Sequence, residues 1–152
     1  MRQMWIGATT LLLVCSLAAI AHMKTEELPA GPIRDRHDLM EGIGKNAKII
    51  GDALKAGNTA PVADAAEKIQ GDAAKITGLF PPGTTHAKSR AKPEIWQNWP
   101  KFEDGTKEMQ VSAGRLAVAA RGGGDVRAAA KAMFDTCKSC HDQFRVPEKK
   151  KA

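Results

Sequence analysis

Near its C-terminal end the chain reads Cys137-Lys138-Ser139-Cys140-His141. Two thiols three positions apart lie on one side of a helix, about one turn from each other. Each can add to a vinyl group of a haem, giving two thioether bonds. The imidazole that follows then lies beneath the iron and offers a nitrogen as proximal ligand. C-x-x-C-H is the attachment signature of haem c, with Cys137 and Cys140 as the points of attachment and His141 as a metal ligand. Two other chemistries use the same residue types. A thioredoxin-like redox pair needs a βαβ setting, and no strand pattern surrounds these cysteines. A zinc site needs a second Cys/His pair at suitable spacing, and His22, His37 and His86 are scattered. A thiol–disulfide oxidoreductase built on Cys137 and Cys140 is the alternative that would use no haem.

The segments that must position this motif are helical by pattern. Pro29 and Pro32 stop the chain before a first segment whose apolar positions are Ile33, Met40, Ile43, Ala47, Ile50 and Leu54, one face of a helix closed by Gly57-Asn58. Thr59 is the expected cap of a second segment, with Pro61 in its first turn and the stripe Val62, Ala65, Ala66, Ile69, Ala73 and Ile76, closed by Gly78. Phe80-Pro81-Pro82-Gly83-Thr84-Thr85 opens a polar loop that runs to Lys92. A loop this long in a small domain usually covers something or moves. Pro93 opens a third segment with the stripe Trp96, Trp99, Phe102, Met109, Ala113, Leu116, Ala117 and Ala120, and Pro100 predicts a kink or a true helix start near that point. After Gly122-Gly123-Gly124, Asp125 begins a fourth segment with Val126, Ala130, Met133, Phe134, Cys137, His141 and Phe144 on one face. Four such stripes predict an all-α, antiparallel up-down-up-down four-helix bundle around the haem.

Composition agrees. There is no Tyr, aromatics are 5 %, and hydrophobic residues are 43 % of 152, a balance that suits a globular helical chain and disfavours a β-sandwich or barrel. Arg2 followed by the apolar run Trp5–Ala21 and the small-x-small sequence Ala19-Ile20-Ala21 reads as a cleavable signal peptide over 1–21, with the mature domain at 22–152. An uncleaved membrane anchor is the less favoured reading of a run slightly short of a span. Cys15 lies inside the leader, so the 3 cysteines reduce to the two of the motif. Removing the leader takes away one basic residue and no acid, so the net charge falls from +6 to +5.

A motif near the C-terminus, inside the last of four helices, resembles the class II c-type cytochromes: cytochrome c-prime and its low-spin, Met-ligated relatives. The resemblance runs from Ile33 to Arg145. Leu79-Phe80-Pro81-Pro82-Gly83 is similar to the family's loop after the second helix. Pro93-Glu94-Ile95-Trp96 followed by Phe102 is similar to the start of its third helix, and Cys137 through Arg145 to its haem-binding end. The resemblance implies one covalently attached haem c. It also implies that the residue facing the iron from the first helix decides the branch. An apolar residue there leaves five-coordinate iron open to small gases, and a Met gives a six-coordinate low-spin centre. Met40, within Arg36-His37-Asp38-Leu39-Met40-Glu41, holds that place, and Gly44-Lys45-Asn46 also looks like the low-spin branch. A thioether raises the reduction potential relative to two imidazoles. Core filling is the ordinary role of a Met on such a stripe and remains the reading of Met109 and Met133. His37, three residues before Met40, is the other candidate sixth ligand. The resemblance further implies that Arg36 pairs with a haem propionate, a task suited to a guanidinium fork. Arg145, one turn after His141, is assigned the same role.

The expected function is single-electron transfer between periplasmic or membrane-bound redox proteins by an exported, non-enzymatic cytochrome. The basic charge suits partners with acidic faces rather than nucleic acid. The alternative is a cytochrome c-prime-like protein that binds NO or CO. Relatives often dimerise through their first two helices, which leaves a homodimer open.

Overall fold

The computed structural model describes residues 28–147 of the chain, so the leader, His22 and the tail Lys149-Lys150-Lys151 lie outside the described residues. The elements are α1 (Pro32–Lys55), α2 (Val62–Ala73), the single turn α3 (Glu94–Gln97), α4 (Trp99–Val118) and α5 (Val126–Phe144), with a 3-10 turn at Thr77–Leu79. The four long helices form the expected all-α four-helix bundle. α1 packs on α2, α2 on α4, and α4 on α5.

The apolar stripes become the core. Ile50, Val62, Ala66, Ile69, Ala113, Leu116 and Met133 have no exposed surface. Each fully buried Ile or Leu contributes roughly 1.5–3 kcal/mol relative to exposure. α2 packs on α4, and both helices bury small side chains, Ala65 and Ala66 in α2 and Ala113 and Ala117 in α4, which let helix backbones approach. Met109 and Met133 are buried in this core, as expected. Exposed faces carry i,i+4 pairs such as Lys48–Asp52, Lys131–Asp135 and Lys138–Asp142.

The helix ends follow local chemistry. α1 stops before Gly57, whose φ of 70° suits a residue without Cβ. α5 is capped by Asp125, whose carboxylate accepts from Arg127 N at 2.9 Å and Ala128 N at 3.0 Å. The break expected near Pro100 occurs at Asn98, and Pro100 sits in the first turn of α4, where its missing N–H costs nothing. One expectation needs correcting. Thr59 does not cap α2: the helix begins at Val62 with no side-chain cap, and Thr59 only accepts a backbone bond from Val62 N at 3.1 Å. Asn58 takes the local side-chain role instead, accepting from Ala60 N at 3.0 Å. The glycine run breaks the helix as expected. The chain continues as a widened π turn over Ala119–Gly123, unwinding at Gly122 (φ 96°).

Candidate haem site

Between α1 and α5 lies a cavity of about 620 Å³, within the range of cofactor pockets. Among the described residues the backbones of these two helices approach each other at almost no point. α1 contributes Ile33, Arg36, His37, Met40 and Gly44 to the lining, and α5 contributes Cys140, His141 and Phe144. Phe80, Ile95 and Phe102 form an apolar wall, continued by edge contacts of Phe102 with Phe80 at 4.9 Å and with Phe144 at 5.4 Å between ring centres. Basic side chains stand at Arg36, Lys88, Arg90 and Arg145.

Met40 and His141 therefore line one cavity from the two helices on either side of it. His37 lines it as well, with Nδ1 3.3 Å from Asp38 Oδ1, so helical spacing by itself does not separate the two sixth-ligand candidates. Cys140 is in the lining. Its sulfur passes Gly105 of α4, where an added Cβ would stand 3.9 Å away. Cys137, one turn nearer the start of α5, lies outside the lining with its sulfur 3.5 Å from Met109 Sδ. Both thiols are free and partly buried. Burial pushes the Cys137 thiol up to about 11, and burial raises Cys140 too, so both stand as protonated thiols at neutral pH. Burial, and then the positive charge of Arg90, lower the pKa of His141, opposed by Asp142. The favoured form is the neutral imidazole, the form that ligates a metal.

Arg36 is only 4 % exposed, which excludes a solvated surface arginine. Its guanidinium is held by the loop through Nη1 and Nη2. Nη1 donates to Thr84 Oγ1 at 3.2 Å, and Nη2 donates to Thr84 O at 2.7 Å and to Ser89 Oγ at 3.1 Å. The cation also lies 4.8 Å from the centre of the Phe80 ring. Desolvation lowers its pKa, though a guanidinium remains charged. Arg145 lines the cavity where α5 ends, and its N–H bonds back to His141 O at 3.0 Å.

The loop 81–92 covers this site. Lys88, Ser89, Arg90 and Ala91 line the cavity. The far end of the loop is tied to α5: Lys92 N donates to Phe144 O at 2.9 Å and Val146 N to Arg90 O at 2.8 Å. The Lys92 ammonium caps the helix, reaching Asp142 O at 3.0 Å and Gln143 O at 3.2 Å, where a cation meets the negative end of the dipole. The length and polarity of the loop announced a cover. The roles of Thr84, Ser89 and Lys92 left no mark in the sequence, because each depends on a partner about 50 residues away.

The residues present fit a c-type haem: a cavity of the right scale with an apolar wall, basic side chains for propionates, a neutral imidazole and two thiols one turn apart. Comparison with known proteins agrees. The family pattern described as Cytochrome C' matches residues 31–145. A cytochrome c' of Rhodospirillum rubrum is 32% identical over 142 residues, covering 89% of this chain and 97% of that protein. The crystal structure of cytochrome c' from Thermochromatium tepidum superposes with a TM-score of 0.70 at 28% identity, covering 84% of this chain and all of that one. A nitric oxide complex of a variant cytochrome c prime from Alcaligenes xylosoxidans superposes with a TM-score of 0.68 at 25% identity, covering 78% of this chain and 98% of that one. Proteins of this kind are non-enzymatic haem proteins, typically periplasmic, and the family implies a c-type haem with which Cys137 and Cys140 are compatible. With a match across the four helices, the loop and the C-x-x-C-H motif, the chain belongs to the cytochrome c' family.

Proposed function

We propose that this chain is an exported single-haem cytochrome, attached through Cys137 and Cys140, with His141 on one face of the iron and Met40 as ligand on the other, and that it passes single electrons between redox partners. The observation that carries the reading is the placement of Met40: α1 sets its thioether in the lining of the cavity that His141 enters from α5. Haem, when bound, supplies a reversible one-electron couple. The chain does the rest. The Met40 sulfur favours the reduced state relative to an imidazole. Phe80, Phe102 and Phe144 keep water from the site, and Arg36 and Arg145 are the candidate partners of the propionates. A basic rim of Lys88, Arg90 and Arg145 suits a partner with an acidic face, with association that slows as salt rises. Among the described residues no helix is long and apolar enough to cross a membrane. The leader at 1–21 and the usual location of the family support a periplasmic protein.

A second reading has its own support. Among the solved relatives is a nitric oxide complex, and the comparisons back a gas-binding haem protein more directly than they back a Met-ligated carrier. In this reading Met40 packs beside the iron or leaves it readily, and the α1 face of the cavity receives NO or CO.

The visible spectrum of the purified protein, before and after dithionite, separates the two. Sharp low-spin α and β bands that turn high-spin in Met40→Ala support the electron carrier. A broad high-spin spectrum in the wild type, shifting with carbon monoxide, overturns it in favour of gas binding. Absence of covalently attached haem removes both.

A further inference from the structure

A direct hydrogen bond and the loop 81–92 connect the two walls of the cavity. Where α1 ends and α5 begins, Arg127 of α5 donates to Leu54 O of α1 at 2.9 Å. Beside Arg36, Met40 and His141 the connection runs through the loop. Arg36 of α1 grips Thr84 and Ser89, and directly after Ser89 the same loop is sewn to Phe144, Arg145 and Val146 by Lys92, Ala91 and Arg90. The stretch between is stiffened from within. Thr84 Oγ1 donates to Pro81 O at 2.7 Å, Ser89 N to His86 O at 2.9 Å, and Ala91 N to Ser89 Oγ at 3.3 Å. The loop is thus a strap from one wall to the other, and the buried guanidinium is its fastening on α1.

We propose that Arg36 is a positioning residue acting through this strap. It holds α1 against α5 at the mouth of the cavity and so sets how closely the Met40 face of α1 stands over the iron carried by His141. Arg36 stands in α1 one turn before Met40, so a displacement of the fastening moves Met40 with it. The inference rests on the haem-bound reading above and adds a control element to it. In the six-coordinate case the strap opposes departure of Met40; in the five-coordinate case it narrows the way to the open face. Either way, loosening it speeds entry of an exogenous ligand.

The test leaves Arg36 in place and removes the two side-chain acceptors in the strap, with the double variant Thr84→Val, Ser89→Ala, of which only Ser89 also lines the cavity. Carbon monoxide association with the dithionite-reduced holoprotein is measured by flow or flash photolysis, beside the low-spin fraction of the spectrum. Association is expected to quicken about tenfold, the scale set by losing a hydrogen bond to a charged group. Leu116→Val, a core change in α4 away from the cavity lining, serves as the stability control and is expected to lower Tm without changing the rate. An unchanged rate in the double variant, or an equal increase in Leu116→Val, overturns the proposal. A high-spin wild-type spectrum overturns Met40 ligation instead, and the strap is then judged on the same comparison of rates.

Discussion

Arg36 and Thr84, 48 positions apart in the chain, meet in a two-point contact: Nη1 to the hydroxyl at 3.2 Å and Nη2 to the carbonyl at 2.7 Å. A planar fork meeting two oxygens of one residue fixes direction as well as distance. Arg36 is buried and Thr84 half-buried, and both acceptors are neutral. The guanidinium therefore replaces its lost hydration with hydrogen bonds and a ring face rather than with a carboxylate.

Removing that fork should loosen the loop before it unfolds the bundle. Arg36→Ala is expected to lose about 2–3 kcal/mol of stability, the scale of hydrogen bonds to a charged group. It should also make the loop a trypsin target at Lys88, Arg90 or Lys92 while the helices remain resistant. Denaturant titration gives the first quantity, and mass spectrometry of a timed digest gives the second. Cleavage no faster than in the wild type would show that the Arg36 contact does not hold the loop.

The cap of α5 is a separate device. Asp125 satisfies two backbone donors at the start of the helix that ends in the haem motif. Asp125→Ala should cost about 1 kcal/mol and leave the visible spectrum unchanged, since the cap stands at the opposite end of α5 from His141. Thermal unfolding followed in the far ultraviolet checks the loss. A spectral change would mean that the register of α5 depends on its cap.

The Cys137 thiol offers a pH test on the chain produced without haem. Burial raises its pKa from 9.0 to about 11, so at pH 8 its thiolate fraction should be about a hundredfold below that of the same thiol in urea, two decades for two units. Alkylation of folded protein by iodoacetamide should be slow at pH 8 and accelerate as pH rises toward 11. The sign for stability follows. Because the folded state disfavours the thiolate, this group's contribution is fully present below pH 9 and is lost as pH rises through 11. Equal rates for folded and unfolded chains at pH 8 would place Cys137 in solvent.

The legible part of the protein was what neighbours in sequence can encode. Cys137, Cys140 and His141 announce haem chemistry because their spacing is the geometry of one helical turn. The stripes through Ile50, Ile69, Leu116 and Met133 announce four helices because burial repeats with the turn. Pro100 marked a helix start within two residues, since a missing N–H has only a few places to go. The same local logic failed at Thr59, where Pro61 and a backbone turn carried the chain into α2 without a side-chain cap.

What only the tertiary structure decided is which distant groups meet. The sequence places Arg36 one turn before Met40 and a polar loop fifty residues on, but nothing in either segment says that the guanidinium enters the loop rather than facing solvent. Packing decides it: with α1 set on α2 and Phe80 turned inward, the Arg36 side chain is enclosed, and a buried cation must find oxygen acceptors or a ring face within reach. Lys92 reaches the end of α5 for a similar reason, since the last carbonyls of a helix have no partner of their own. The motif determines the chemistry that this chain can carry. The enclosure of Met40, His141 and Arg36 in one cavity under a fastened strap arises only when residues far apart in the chain are brought to the same few ångströms.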